Sequence, residues 1–293
     1  MSERLVTVGR GVELCLEEFG RAADPVLVLI MGIGTQLIGW EEAFCRQLAD
    51  GGSLRVVRFD NRDVGHSTWF TQAGRPDLGA VAGGEDSGLA YTLSDMAGDV
   101  VGLLDALGAD RAHVAGASMG GMIAQLVAIA HPDRIASLIS IMSRTGAPGE
   151  GESTPEAVEV LLRPAPAGRQ AYIDAGLPSA LVIGSPGLID EQPMRRRRAT
   201  AFDRGLNPEG FMRQMAAIFA DGDRTERLAG VRAPTLVLHG EADVLIDPSG
   251  GRATAAAIPG ARFALIPGMG HDLPEARWPA IVAAILDHIA DAP

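Results

Sequence analysis

The segment Gly116-Ala117-Ser118-Met119-Gly120 carries the clearest chemical potential in this sequence. A serine spaced G-x-S-x-G can sit on a tight turn between a strand and a helix, with its hydroxyl projecting free. The flanking residues suit that context. Arg111–Ala115 is a β-rich run leading in, and Met119–Ala130 is small and apolar on nearly every side, as for a helix packed closely on a sheet. Glycine suits positions 116 and 120 if neighbouring backbones approach there too closely for a Cβ. The plainer alternative is a glycine-rich turn whose serine only caps a helix. The strand–turn–helix context favours a nucleophile.

A serine hydroxyl is a weak nucleophile at neutral pH. It needs a base, usually histidine, which is itself oriented by a carboxylate. The chain has six histidines. His113 and His239 lie inside strand patterns, His131 at a helix end, His66 in a loop and His288 in the last helix. His271 differs: it ends the loop Pro267-Gly268-Met269-Gly270-His271 after a strand, from which an imidazole can reach over a sheet edge. The acid should also follow a strand. Asp243 is the choice, with Glu241 and Asp247 as rivals in the same loop. Two backbone N–H donors are needed for the developing oxyanion. Met119 should supply one, and Ile33, with Gly32 next, the other from the loop after Val26–Met31.

These loops need a scaffold. Strand signals fall at Leu5–Val8, Val12–Phe19, Val26–Met31, Leu54–Phe59, Arg111–Ala117, Ile135–Met142, Pro234–His239 and Arg262–Ile266. Helical spacing at Leu93–Leu107, Met119–Ala130 and Trp278–Ile289 alternates with them, which predicts a mostly parallel α/β sheet flanked by helices. Thr68–Tyr91 is glycine-rich without a clear period and reads as an irregular excursion. A longer, proline-rich interval separates two strand signals. It divides the chain into a core of residues 1–143 and 231–293 and an inserted helical cap of residues 144–230, with helical patterns at Pro155–Leu162, Met194–Arg204 and Glu209–Ala220. Arg195–Arg198 admits an anion site, but a solvated helix face is the preferred reading.

Composition narrows the function. At 293 residues and 47% hydrophobic there is ample material for a core, and a net charge of −12 makes nucleic acid a poor partner. Every one of the 25 positive residues is Arg, so a Lys base or Schiff base is impossible. No apolar run approaches the roughly 20 residues of a membrane span. The opening residues lack a signal-peptide apolar region, so a cytoplasmic enzyme is expected, with Cys15 and Cys45 as buried free thiols. No H-E-x-x-H pair is present, so no metal is expected.

The elbow G-A-S-M-G-G, the segment Phe59-Asp60-Asn61-Arg62-Asp63-Val64-Gly65-His66-Ser67, the Gly-x-x-Asp loop and the final P-G-M-G-H resemble the α/β-hydrolase superfamily over nearly the whole chain. The order Ser118, Asp243, His271 is that of its triad. Within it, the chain is most similar to the aclacinomycin methylesterase group. The opening M-S-E-R, Met31-Gly32, A-D-G-G at Ala49–Gly52, D-R-A-H-V at Asp110–Val114 and I-P-G-M-G-H at Ile266–His271 carry that similarity. Where many relatives have His, this chain has Met31, as that group does. The resemblance implies an eight-stranded sheet with its second strand antiparallel, a helical cap, no cofactor, and removal of a methyl group from the carboxylate ester of an anthracycline polyketide.

Thioesterases, lactonases, C–C bond hydrolases and perhydrolases share this triad and remain alternatives, as does a non-catalytic binding protein on the fold. The expected substrate is a small-to-medium apolar ester, bound by a monomer or homodimer. Gly32 and Trp40 are candidates for the pocket base. Met194, Phe202, Phe211, Met215 and Phe219 are candidates for an apolar roof.

Overall fold

The computed structural model describes residues 3–85 and 88–292. Met1 and Ser2 of the M-S-E-R opening, and residues 86 and 87 of the excursion, lie outside them. The strands are β1 (Arg4–Gly9), β2 (Val12–Phe19), β3 (Val26–Ile30), β4 (Arg55–Phe59), β5 (Ala112–Ala117), β6 (Ile135–Ile141), β7 (Thr235–Gly240) and β8 (Arg262–Ile266). They form one eight-stranded sheet in the order β1-β2-β4-β3-β5-β6-β7-β8. β2 is antiparallel to both neighbours, and every pairing from β4 to β8 is parallel.

Alternation along the strands builds two apolar layers. β3 is VLVLI, buried at every position, as a strand covered on both faces must be. Val28 and Ile30 face a layer shared with α3 (Leu93–Leu107) and α4 (Met119–Ala130). Leu27 and Leu29 face the opposite layer, shared with α1 (Glu42–Gly52) and α12 (Trp278–Ala290). The α3 pattern is helped at its start by a reciprocal cap between Thr92 and Asp95. Both cysteines are buried free thiols. Among the described residues no helix is long and apolar enough to cross a membrane.

The excursion expected to be irregular contains a 3-10 turn at Thr71–Ala73 and a short helix, α2 (Leu78–Ala82), started by Asp77, which accepts from the Gly79 and Ala80 amides. The interval between β6 and β7 holds α5 (Pro155–Leu162), α6 (Arg169–Asp174), α7 (Gly176–Ile183), α8 (Glu191–Arg204), α9 (Pro208–Asp221) and α10 (Thr225–Leu228). The sequence patterns had no signal for α6 and α7, whose runs are short and interrupted by Gly and Pro. α5 to α8 pack mainly on one another, whereas α9 lies on α2 and α3, and α10 on α4 and α11 (Pro248–Ala257). The end of this interval is therefore seated on the helices of the sheet.

Candidate active site

Parallel strands deliver their following loops to one edge of a sheet, and ligands bind there in open α/β folds. Ser118 follows β5 at φ +56°, ψ −120°, a left-handed backbone that a non-glycine residue adopts only when its surroundings impose it. The surroundings are tight. A Cβ on Gly116 would collide with the Gly120 carbonyl, and a Cβ on Gly120 with the Ile30 carbonyl. The Ser118 amide donates to Ile141 O at 2.9 Å, and its carbonyl accepts from Gly121 N at 2.9 Å, which pins the turn from both sides.

Asp243 follows β7 and is buried. Its Oδ1 accepts from the amides of Leu245 and Ile246, each at 2.9 Å, and its Oδ2 lies 2.7 Å from His271 Nδ1. His271 follows β8, and its amide donates to Ile183 O at 2.7 Å. With Nδ1 engaged, Nε2 is the ring nitrogen left to act as base. Among the described residues Ser118 Oγ has no hydrogen-bond partner; Ser118 and His271 share one cavity wall. The rival acids are occupied otherwise. Asp247 caps α11 by accepting from Ser249 N at 2.9 Å, and exposed Glu241 accepts from Gly268 N.

Burial alone would raise the Asp243 carboxyl. The His271 charge, hydrogen bonds from His239 and His271, and the Ile246 amide outweigh it and hold the group at about 2. A carboxyl depressed below its ordinary 3.8 binds fewer protons in the native chain than in the unfolded one. Its stabilisation is complete above about pH 4 and is lost as pH falls toward 2; the depression corresponds to on the order of 2 kcal/mol. In urea unfolding, the stability advantage of the native chain over Asp243→Asn is expected to shrink across that window. An advantage that stays constant down to pH 2 contradicts this assignment.

Gly32 passes directly beside the serine: a Cβ built on it would stand 3.2 Å from Ser118 Cβ. Among the described residues neither Met119 N nor Ile33 N has a hydrogen-bond acceptor, so both amides are available to an oxyanion. The Asp60–Ser67 motif braces this loop. Asp60 Oδ1 accepts from Leu37 N at 2.6 Å, and Asn61 Nδ2 donates to Met31 O at 2.9 Å. Arg62 pairs with Asp99, and Asp63 with Arg213.

A cavity of about 780 Å³ lies between these loops and α5–α8, with Gly32, Ile33, Ser118, Met194 and His271 on its wall. Trp40, Phe202, Phe211, Met215 and Phe219 are not on that wall. Trp40 is fully buried beneath the loop, stacked on Phe44 at 5.8 Å. Phe202 packs on Tyr172, Phe211 lies against Gly34, Met215 is buried on α9, and Phe219 is exposed. Hydrophobic type placed Trp40 at the pocket base and the others in the roof, but Trp40 packs into the core beneath the loop, and the faces of α8 and α9 turn Phe202, Phe211, Met215 and Phe219 elsewhere. The wall uses Tyr172, Ile183 and Leu188 instead, from segments with little periodicity to read.

The arginine run divides. Arg195 pairs with Asp174 and Glu191, as a solvated face would. Arg197, paired with Glu41, and Arg198, lying 3.9 Å over the Tyr172 ring, both line the cavity. Among the described residues none of the other histidines lines this cavity: His113 binds Ser137 Oγ and is pushed down to about 4 by burial, and His66 faces Glu3. His239, missed as part of the site, is fully buried and lies 3.4 Å from Asp243 Oδ2, while its Nε2 is 2.8 Å from Ile246 O. Glu3, Cys15 and His66 gather ligand-type atoms within 4.8 Å of one another. The Arg204 guanidinium sits on Glu3 and 3.9 Å from Cys15 Sγ, a charge that opposes a cation there.

A family model for the alpha/beta hydrolase fold matches residues 25–182, more than half of the chain, and the chain belongs to that family. Its relatives are hydrolases of several kinds. Rhodomycin D methylesterase DauP from Streptomyces sp. (strain C5) is 29% identical, and DnrP of the same description from Streptomyces peucetius 28%, each alignment covering 98% of both chains. A 2-hydroxy-6-oxononadienedioate/2-hydroxy-6-oxononatrienedioate hydrolase from Paraburkholderia phymatum is 27% identical over 85% of this chain and 82% of its own. Among solved structures, a hydrolase from Pseudomonas aeruginosa PA01 superposes with a TM-score of 0.73 at 27% identity, covering 98% of each chain.

Proposed function

We propose that the protein is a serine carboxylic-ester hydrolase that works through an acyl-enzyme. The observation that carries this reading is Ser118, strained in its backbone and with a hydroxyl that has no partner among the described residues, sharing a cavity with a histidine that Asp243 holds by Nδ1. His271 takes the Ser118 proton as Oγ attacks the ester carbonyl. The amides of Met119 and Ile33 stabilise the tetrahedral oxyanion. His271 then protonates the departing alkoxide, and water, activated by the same imidazole, releases the acid. Asp243 fixes the tautomer and balances the imidazolium.

The two methylesterase relatives support a methyl ester as the bond cleaved, and the roomy, largely apolar cavity supports a bulky acid side. Residues 144–230 act as the cap, with α5 to α8 forming the roof. The dienedioate hydrolase relative favours one competing reading, cleavage of a carbon–carbon bond with the same serine. A panel varying acyl and alcohol sides separately, with a polycyclic methyl ester and a vinylogous diketone, tests the two. Preference for large acids with small alcohols is expected; turnover of the diketone alone overturns the esterase reading.

A further inference from the structure

The loop that carries the Ile33 amide is gripped from outside by α8 and α9. Thr35 N donates to Gly32 O at 3.2 Å and closes a tight turn over residues 32–35. A trans peptide points its N–H and C=O in opposite directions, so this bond directs the Ile33 N–H away from the turn. Gln214, wholly buried on α9, accepts from Gly34 N–H through Oε1 at 2.8 Å and donates from Nε2 to Arg62 O at 2.8 Å. The amide orientation follows from that pairing, since only the oxygen can accept from an N–H. Gly34 sits at φ +61°, and a Cβ on it would stand 2.8 Å from the Phe211 ring. On the far side, Gln36 donates to Ala201 O and Gly205 O at the end of α8, and accepts from Arg204 at 2.6 Å.

We propose that Gln214 is a positioning residue for ester hydrolysis: through Gly34 it holds the turn that aims the Ile33 N–H at the oxyanion. This rests on the esterase reading above. An oxyanion donor acts only when it lies about 2.7–3.1 Å from the charge that develops. That charge is small in bound substrate and large in the transition state, so loss of aim falls on kcat and spares KM. The same bond makes α9, a helix of the inserted segment, part of what sets the catalytic loop.

The test compares Gln214→Met, which keeps the length without an acceptor, and Gln214→Glu, which keeps an acceptor for Gly34. Rates are expressed per active site, titrated with a fluorophosphonate. A trifluoromethyl ketone, which Ser118 converts to a tetrahedral adduct, reports oxyanion binding directly. For Gln214→Met, kcat is expected to fall about 10-fold or more with KM within about twofold, and ketone affinity to fall by the same factor. Gln214→Glu is expected to recover part of both. Unchanged kcat and ketone affinity in Gln214→Met overturn the proposal. So does a loss confined to Tm and the yield of active sites, which marks Gln214 as packing only. Ser118→Ala separates the two levels. If it is inert and the native chain active, the esterase reading stands whatever Gln214 does; a native chain inert to every ester and to the ketone removes both.

Discussion

Ser118→Ala is expected to lower kcat/KM for every ester the native chain cleaves by about 10⁴-fold or more, with Tm almost unchanged. The two halves of this expectation have separate causes. On the proposed mechanism no acyl-enzyme can form without the hydroxyl, and the amides of Met119 and Ile33 are left to polarise only a carbonyl that bulk water must attack. Stability is spared because among the described residues Ser118 Oγ makes no hydrogen bond, while the bonds that hold the turn run through its backbone to Ile141 and Gly121. A fall in Tm together with activity is measured readily by thermal denaturation and would assign Ser118 a role in the fold.

Asp243→Asn is expected to lower kcat by about 10⁴-fold, for a reason visible in the site. Two amides, those of Leu245 and Ile246, point at Oδ1. They force an asparagine to place its oxygen there and its NH₂ at the Oδ2 position, facing His271 Nδ1. That NH₂ donates to Nδ1, so the ring proton moves to Nε2, the nitrogen that accepts from Ser118 in the proposed mechanism. The variant therefore keeps the geometry and holds the wrong tautomer. Binding of an uncharged substrate analogue should be nearly unaffected. Retention of kcat within tenfold would return the acid role to a rival such as Asp247 or Glu241, despite their present engagement with α11 and Gly268.

Much of the scaffold was legible because it is repetitive. A fully buried strand reads as an unbroken apolar run, and a helix packed on a sheet reads as small apolar residues, so β3 and α4 could be placed within a residue or so. Ser118 was legible for a related reason: two glycines mark places where a side chain cannot fit, and the structure supplies the obstructing carbonyls. The choice among Glu241, Asp243 and Asp247 was left to position, because all three lie within seven residues of one loop. What separates them is burial and the direction of two amides, neither of which is a property of sequence spacing.

The cavity wall was the least legible part. Trp40 and Phe211 are apolar and near the right loops, but each buries its ring against a neighbour, Phe44 in one case and Gly34 in the other. Which face of a short helix looks inward depends on how it docks, and α5 to α8 dock mostly on one another. Gln214 offered one usable signal, a polar residue on the apolar side of α9 between Phe211 and Met215. A buried amide there must find partners, and it finds them in the loop beside Ser118.

Covalent capture tests most directly whether Ser118 is the nucleophile. A fluorophosphonate added to the native chain should produce one stoichiometric adduct, located by peptide mass spectrometry on Ser118. The adduct should be absent in Ser118→Ala and form far more slowly in His271→Ala. Labelling that persists undiminished in Ser118→Ala, or that maps to another serine, excludes Ser118 as the nucleophile.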